Sequence, residues 1–171
     1  MLVKLDGSYA EGVFKLSRNN NEAEYPGFRM DSIYDVMDHI KKMNEEEEKG
    51  TTYSRGILDE DARLAGIASL VNIDRDRRNA ELEMWIVEDK PGFYAAAIKE
   101  MLKAAFSTLP LDEVYISVHK MNELTAPALE TLVFAKSEGE KQMAGIPEKP
   151  AEDGNPDTHM LVISKEVFFD F

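Results

Sequence analysis

The sequence contains no cysteine, which excludes disulfides, thiolate zinc sites and a cysteine nucleophile. The same absence accords with a reducing compartment. Nothing approaches the roughly 18 uninterrupted apolar residues that a membrane span requires, so no membrane association is expected. Residues 1–12 show no cationic stretch leading into a long apolar run. No secretory signal is therefore expected, and the expected location is cytoplasmic. Positive charge is also scarce: 20 Lys and Arg stand against 33 Asp and Glu, a formal net charge of −13. An acidic surface repels a phosphate backbone, so nucleic-acid binding is not expected. A cationic small molecule or a basic protein terminus is attracted more easily, although the same balance also serves solubility alone. Of the three histidines, His39 and His159 lack ligand-like spacing to each other or to carboxylates, and no metal site is expected.

What is present suits one domain spanning residues 1–171, long enough to bury a core and 43% hydrophobic. A short strand is expected at Val3–Leu5 and a helix over part of Ser8–Asn19. Ile33, Val36, Met37, Ile40 and Met43 recur at helical spacing, which predicts a second helix with His39 on its polar side and Gly50 as its stop. The run Glu45–Glu48 reads as a solvated helix end rather than a docking site. Thr51–Leu58 and Ala62–Ile73, separated by Asp59-Glu60-Asp61, predict a hairpin. Asp74–Asn79 is a second polar turn into a third strand, Ala80–Val87. Phe93–Phe106 returns to helical period, with Tyr94, Ile98, Met101, Leu102, Ala105 and Phe106 on one side. Glu113–Val118 alternates as a strand does. Ala126–Phe134 reads as a helix, and strands are expected around Phe134–Glu140 and His159–Val167, joined by a loop rich in Pro, Gly and Asp over 145–157. A mostly antiparallel sheet with helices packed on it is an α+β arrangement.

Particular residues within this order carry a family likeness. Leu64–Ile86 has Gly66 in its first strand, an Arg-Arg-Asn turn, and Ala-Glu-Leu-x-x-Trp in its second. Ala97–Phe106 forms the central helix, and Asn122-x-x-Thr125 precedes Leu129-Glu130-x-Leu132-x-Phe134. Together these resemble the GNAT superfamily of N-acetyltransferases, in particular the branch containing RimJ/RimL-type ribosomal-protein acetyltransferases. The resemblance runs through nearly the whole chain. It implies a mixed, mostly antiparallel sheet of six to seven strands, with helices on both faces and a splay at the central parallel pair. It implies acetyl-CoA as co-substrate, its pantetheine pairing with strand backbone at Met84, Trp85, Ile86 and Val87. The pyrophosphate would rest on amides at the helix entrance, around Gly92, Phe93, Tyr94 and Ala95, and Asn122 would contact the cofactor arm. The acceptor would be an amine: a protein N-terminus, a polyamine or another small amine.

Two features depart from the family pattern. Its helix entrance carries Arg or Gln, then x-x-Gly-x-Gly or Ala; here Asp89, Gly92 and Tyr94 stand at those positions, and Val133 replaces a later glycine. Pro91-Gly92 therefore reads either as a phosphate-holding turn or as a helix start that holds none. Direct acetyl transfer needs a base for the amine and an acid near the departing thiolate. Glu81 stands at the family's recurrent acidic position and is the first candidate base; Glu83 is the second. Both also read as carboxylates of a partly exposed sheet face. His119 reads as a proton relay or as an ordinary surface histidine. Thr125 reads as the acid or as a helix cap ahead of Pro127. The leading function is acetyl-CoA-dependent N-acetyl transfer by direct attack. The alternative is a non-catalytic GNAT-like protein with weakened coenzyme binding, acting in recognition or assembly. The apolar end, Val167–Phe171, reads as a last strand on its own sheet or as a docking segment for a second subunit in a homodimer.

Overall fold

The computed structural model describes residues 1–19, 29–86, 91–117, 148–150 and 159–169, with the backbone alone at 19, 86, 91–94, 117, 148–150, 159–161 and 169. The strands are β1 (Leu2–Val3), β2 (Tyr53–Leu58), β3 (Leu64–Asp74), β4 (Asn79–Ile86), β5 (Glu113–Ser117), β6 (Glu148–Pro150) and β7 (His159–Ser164). They follow the order β1-β2-β3-β4-β5-β7-β6. β1 to β2, β2 to β3, β5 to β7 and β6 to β7 are antiparallel, and β4 to β5 is parallel. The helices are α1 (Ala10–Asn19), α2 (Ile33–Lys49) and α3 (Pro91–Lys103), with a short closing helix at Lys165–Phe169. This is the expected α+β mixed sheet. Contacts group the chain into two compact units: Met1–Val71 with Glu83–Glu88, and Asn72–Leu82 with Asp89–Phe171.

In the first unit, α2 shows how local chemistry sets an element's bounds. Ser32 caps it, its hydroxyl accepting from the Asp35 amide at 3.1 Å and donating to the Asp35 carboxylate at 2.8 Å. Gly50 ends it in the left-handed region, φ 76°, which costs a glycine nothing, and its amide bonds back to Glu46 and Glu47 carbonyls. Val36 and Ile40 are fully buried with Leu5, Val13, Leu16, Ile67 and Trp85, and Met43 packs against them. Ile33 and Met37, expected on the same face, are 37% and 48% exposed. They lie on the edge of the apolar stripe, where helical rotation carries side chains out of the core. His39 flanks the stripe on the other side and is partly buried rather than fully polar-facing. Burial holds its imidazole below the ordinary histidine value, Lys42 adds to this, and Glu46 opposes it.

The glutamate run at the end of α2 is largely engaged by lysine and arginine. Glu45 and Glu46 lie 3.8 and 3.9 Å from Lys41 and Lys42, one helical turn away. Glu47 turns inward and takes both guanidinium nitrogens of Arg55, at 2.8 and 3.2 Å, with Lys4 at 3.5 Å. Arg55 also stacks over Tyr53, 3.7 Å from the ring centroid. This knot ties α2 to β1 and β2. Side chains packed over Gly56 complete the join: a Cβ there would stand 2.6 Å from a Leu5 methyl and 2.8 Å from a Leu64 methyl. The β2–β3 register is further marked by Ser54 and Ser69, whose hydroxyls meet at 2.8 Å. The loop between them runs Asp59–Arg63, its Asp59 carboxylate accepting from the amides of Asp61 and Arg63.

In the second unit, β4 contributes buried Ala80 and Leu82, β5 Val114 and Ile116, and β7 Val162 and Ile163. α3 buries Ile98, Met101 and Leu102 as its period requires, each worth about 1.5–3 kcal/mol on removal from water. The helix then widens into a π turn, Ala104–Thr108, burying Ala105 and Phe106. The Phe106 ring meets Phe168 of the closing helix at 5.4 Å, tilted 49°.

Three expectations about element bounds change as well. The first strand is Leu2–Val3 rather than Val3–Leu5, because Leu5 is drawn into the core at 2% exposure. The Pro- and Gly-rich stretch over 145–157 contains a three-residue strand, Glu148–Pro150, paired to β7. The last strand stops at Ser164 and does not continue through Val167, since Ser164 caps a helix by accepting from the Val167 amide at 3.3 Å. The segment around Val167 is therefore helical rather than a strand. The expected helix Ala126–Phe134 and strand Phe134–Glu140 lie outside the described residues.

Glu47 offers a direct test of the α2–β2 knot. Burial alone would raise its carboxyl, but the Arg55 hydrogen bonds and the charges of Arg55 and Lys4 prevail and hold it below the usual glutamate range. A depressed folded value means that the stabilisation is present above about pH 4.3 and fades as pH falls through the folded value. Glu47→Gln is expected to cost about 1 kcal/mol at pH 7, and the gap between variant and native protein in urea unfolding should narrow as the pH is lowered below about 4.3.

Candidate functional site

The parallel pair at the centre of the sheet is short. Asn79, Ala80 and Glu81 of β4 pair with Glu113, Val114 and Tyr115 of β5, and among the described residues the ladder ends there. Both strands run on: β4 to Ile86 and β5 to Ser117. β5 stays paired on its other edge, with Ile116 opposite Leu161 and Ser117 opposite Met160 of β7. So β5 keeps its antiparallel neighbour after losing its parallel one, while β4 continues past Glu81 without β5 beside it in the ladder.

The base of the pair is built by a turn. Arg78 sits in the left-handed region at φ 56°, and its carbonyl accepts from the Asp112 amide at 2.6 Å and the Glu113 amide at 3.3 Å. Its Nε donates to the Pro110 carbonyl at 3.0 Å, and an Nη lies 3.1 Å from the Asp112 carboxylate. On the other side of the turn, the Asp74 carboxylate accepts from the amides of Asp76 and Arg77, each at 2.9 Å. Both are turn-forming contacts of the kind short polar side chains supply.

Glu81 belongs to the last pair of the ladder, opposite Tyr115. Tyr115 donates its phenol to the Glu113 carboxylate at 2.6 Å, two residues back on β5. Sequence reasoning had not singled out this pair; alternation along Glu113–Ser117 was the signal that placed them on one face. Glu81, Glu83 and Met84 are all partly buried. Trp85 differs: its indole is buried among α1 and α2 side chains at 6% exposure, which removes that side chain from any ligand surface. Ile86 closes β4.

Four residues separate the end of β4 from the start of α3 at Pro91. Gly92 and Phe93 lie in its first turn, where amides have no acceptor within the helix, and Pro91 has no N–H to satisfy. Ala95 follows, 7% exposed. Val87, Asp89, His119, Asn122, Thr125 and Val133 lie outside the described residues, as does the side chain of Tyr94. Among the described residues no group of three or more His, Asp or Glu side chains is placed to hold a metal ion.

The architecture is that of an acyl-CoA N-acyltransferase. Residues 1–134 match the acetyltransferase (GNAT) domain family, and the chain belongs to that family. No curated protein matches it by sequence. Among solved structures, one assigned as an acetyltransferase is similar with a TM-score of 0.74 at 23% identity, over 96% of this chain and 92% of that one. A mutant form of the spermidine/spermine N-acetyltransferase SpeG from Vibrio cholerae is similar with a TM-score of 0.69 at 18% identity, over 99% and 96%. A protein assigned as a ribosomal-protein-serine acetyltransferase, also from Vibrio cholerae, gives 0.64 at 15%, over 95% and 92%. Identities this low speak to fold.

Burial of the one tryptophan beside the end of β4 makes a measurable claim. Trp85→Ala is expected to cost about 3–5 kcal/mol, the usual range for emptying a large aromatic site, read by urea unfolding. A cost below about 1 kcal/mol would contradict its place in the core.

Proposed function

We propose that this chain is an acetyl-CoA-dependent N-acetyltransferase of the RimJ/RimL-like branch that acetylates a primary amine by direct attack. The observation that carries the reading is the three-pair parallel ladder that ends at Glu81 and Tyr115 while β4 continues. Bound acetyl-CoA would supply an activated acetyl group on a thiolate leaving group. The backbone of Met84, Trp85, Ile86 and Val87 orients the pantetheine arm, as an added strand would be oriented. The amides of Gly92, Phe93, Tyr94 and Ala95 hold the diphosphate, and Asn122 steadies the arm. Glu81 receives the proton of the attacking amine, with Glu83 or His119 relaying it to solvent. Thr125 donates to the departing sulfur.

The acceptor is cationic in this reading. A net charge of −13 draws a protonated amine toward the protein, and loss of its proton near Glu81 releases the nucleophile. The similar structures act, by their names, on spermidine and spermine or on a ribosomal protein. A polyamine and a peptide N-terminus are the two acceptors to compare. The protein acts in the cytoplasm, as a monomer or a homodimer.

Asp89 and Tyr94 stand where the family places a basic residue and a small one. They weaken donor binding without removing it. Calorimetry with acetyl-CoA should therefore show saturable binding in the micromolar range, and an Asp89→Arg/Tyr94→Gly double variant should tighten it about tenfold, the worth of one charge-assisted hydrogen bond. Heat absent at millimolar acetyl-CoA would leave the non-catalytic alternative standing. Once either acceptor turns over, Glu81→Gln should lower kcat about 100-fold, with acetyl-CoA affinity unchanged within about twofold.

A further inference from the structure

We infer that Arg78 is a positioning residue: its turn clamps the base of the parallel pair and so fixes where β4 and β5 part. Four contacts converge there. The Arg78 carbonyl takes the amides of Asp112 and Glu113 together, at 2.6 and 3.3 Å. Its guanidinium reaches Pro110 O at 3.0 Å and the Asp112 carboxylate at 3.1 Å. The Asp112 carbonyl in turn accepts from the Lys165 amide at 2.8 Å, where β7 gives way to the closing helix. The next residue on each side, Asn79 and Glu113, is the first pair of the ladder, and Glu113 also pairs with Ser164 of β7. One turn thus joins the starts of β4 and β5 to the end of β7.

Register is what this clamp controls. A slip of one residue between β4 and β5 would exchange the faces of every side chain in the pair. Leu82 would then replace Glu81 opposite Tyr115. Three pairs of slanted parallel hydrogen bonds resist such a slip weakly, since parallel pairing is the less stable kind. The charge pair contributes little by itself, because Arg78 and Asp112 are 48% and 49% exposed. What matters is the fork: a guanidinium presents donors on separate nitrogens in a fixed plane and holds a carbonyl and a carboxylate in set directions, whereas an ammonium offers three donors on one freely rotating nitrogen. Holding Arg78 at φ 56° shows that the surrounding contacts overcome a backbone preference against that conformation.

The experiment compares Arg78→Ala and Arg78→Lys with native protein in two measurements, of which only the second rests on the proposed donor site. First, amide hydrogen exchange should quicken about tenfold in residues 79–82 and 113–116 of Arg78→Ala, with α2 amides at Val36 and Ile40 unchanged. Second, acetyl-CoA should bind Arg78→Ala about fivefold more weakly, because its arm meets a less organised strand end. Arg78→Lys should recover part of both losses by keeping the contact to Asp112. Unchanged exchange in the ladder, or equal quickening in α2, overturns the clamp. Quickened ladder exchange with unaltered affinity overturns its role in donor binding. Native protein that binds no acetyl-CoA would end the proposed function, and the exchange measurement would still decide the clamp.

Discussion

The centre of this protein depends on three pairs of parallel backbone hydrogen bonding between β4 and β5. Parallel neighbours cannot be joined by a tight turn, so the chain must leave β4, cross through a helix and return. α3 makes that crossing, and its buried row of Ile98, Met101 and Leu102 gives the crossing its stability. Because the ladder is short, β4 passes beyond it while still a strand. The helix that follows starts with Pro91 and Gly92, presenting N–H groups suited to an anion.

Charge divides the molecule's tasks in a similar way. Much of the excess acid is placed where it stabilises local structure: Glu45 and Glu46 against lysines one turn back, Glu47 against Arg55, and Asp59 holding the amides of its own loop. Glu81 and Glu83 stand on β4, and Glu113 lies beside Tyr115 on β5. A protein with this balance favours a cationic partner over a phosphate backbone. In the proposed function the same balance would make a coenzyme diphosphate harder to hold, so backbone amides rather than basic side chains would have to carry that contact.

Much of this was legible in the residues because it is local. Gly50 marks the end of α2, the Asp59 and Asp74 turns mark the hairpins, and the alternation in Glu113–Ser117 and the period of α3 identify their elements. What was hidden depends on distant partners. Glu148–Pro150 looks like loop by composition, since a three-residue strand is created by its neighbour β7 rather than by propensity. Ile33 and Met37 fit a helical stripe, yet nothing in their own segment tells that the core stops short of them. The helix after Ser164 was announced only by a capping serine, easily overridden by the strand-like run before it. For the site, Glu81 and its face could be read from alternation, whereas its place in the last pair of the ladder follows from register, which no single strand encodes. Trp85 was assigned to the ligand's strand, and the burial of its indole restricts that role to its main chain.

The measurement that bears most directly on the account is a backbone amide chemical-shift titration with acetyl-CoA. The account predicts that the signals of Met84, Trp85, Ile86 and Gly92 to Ala95 move together and saturate, while those of Asn79 and Ala80 within the ladder stay nearly still. Shifts confined to other surfaces, or β4 amides beyond Glu81 that ignore the ligand while it binds, would contradict it.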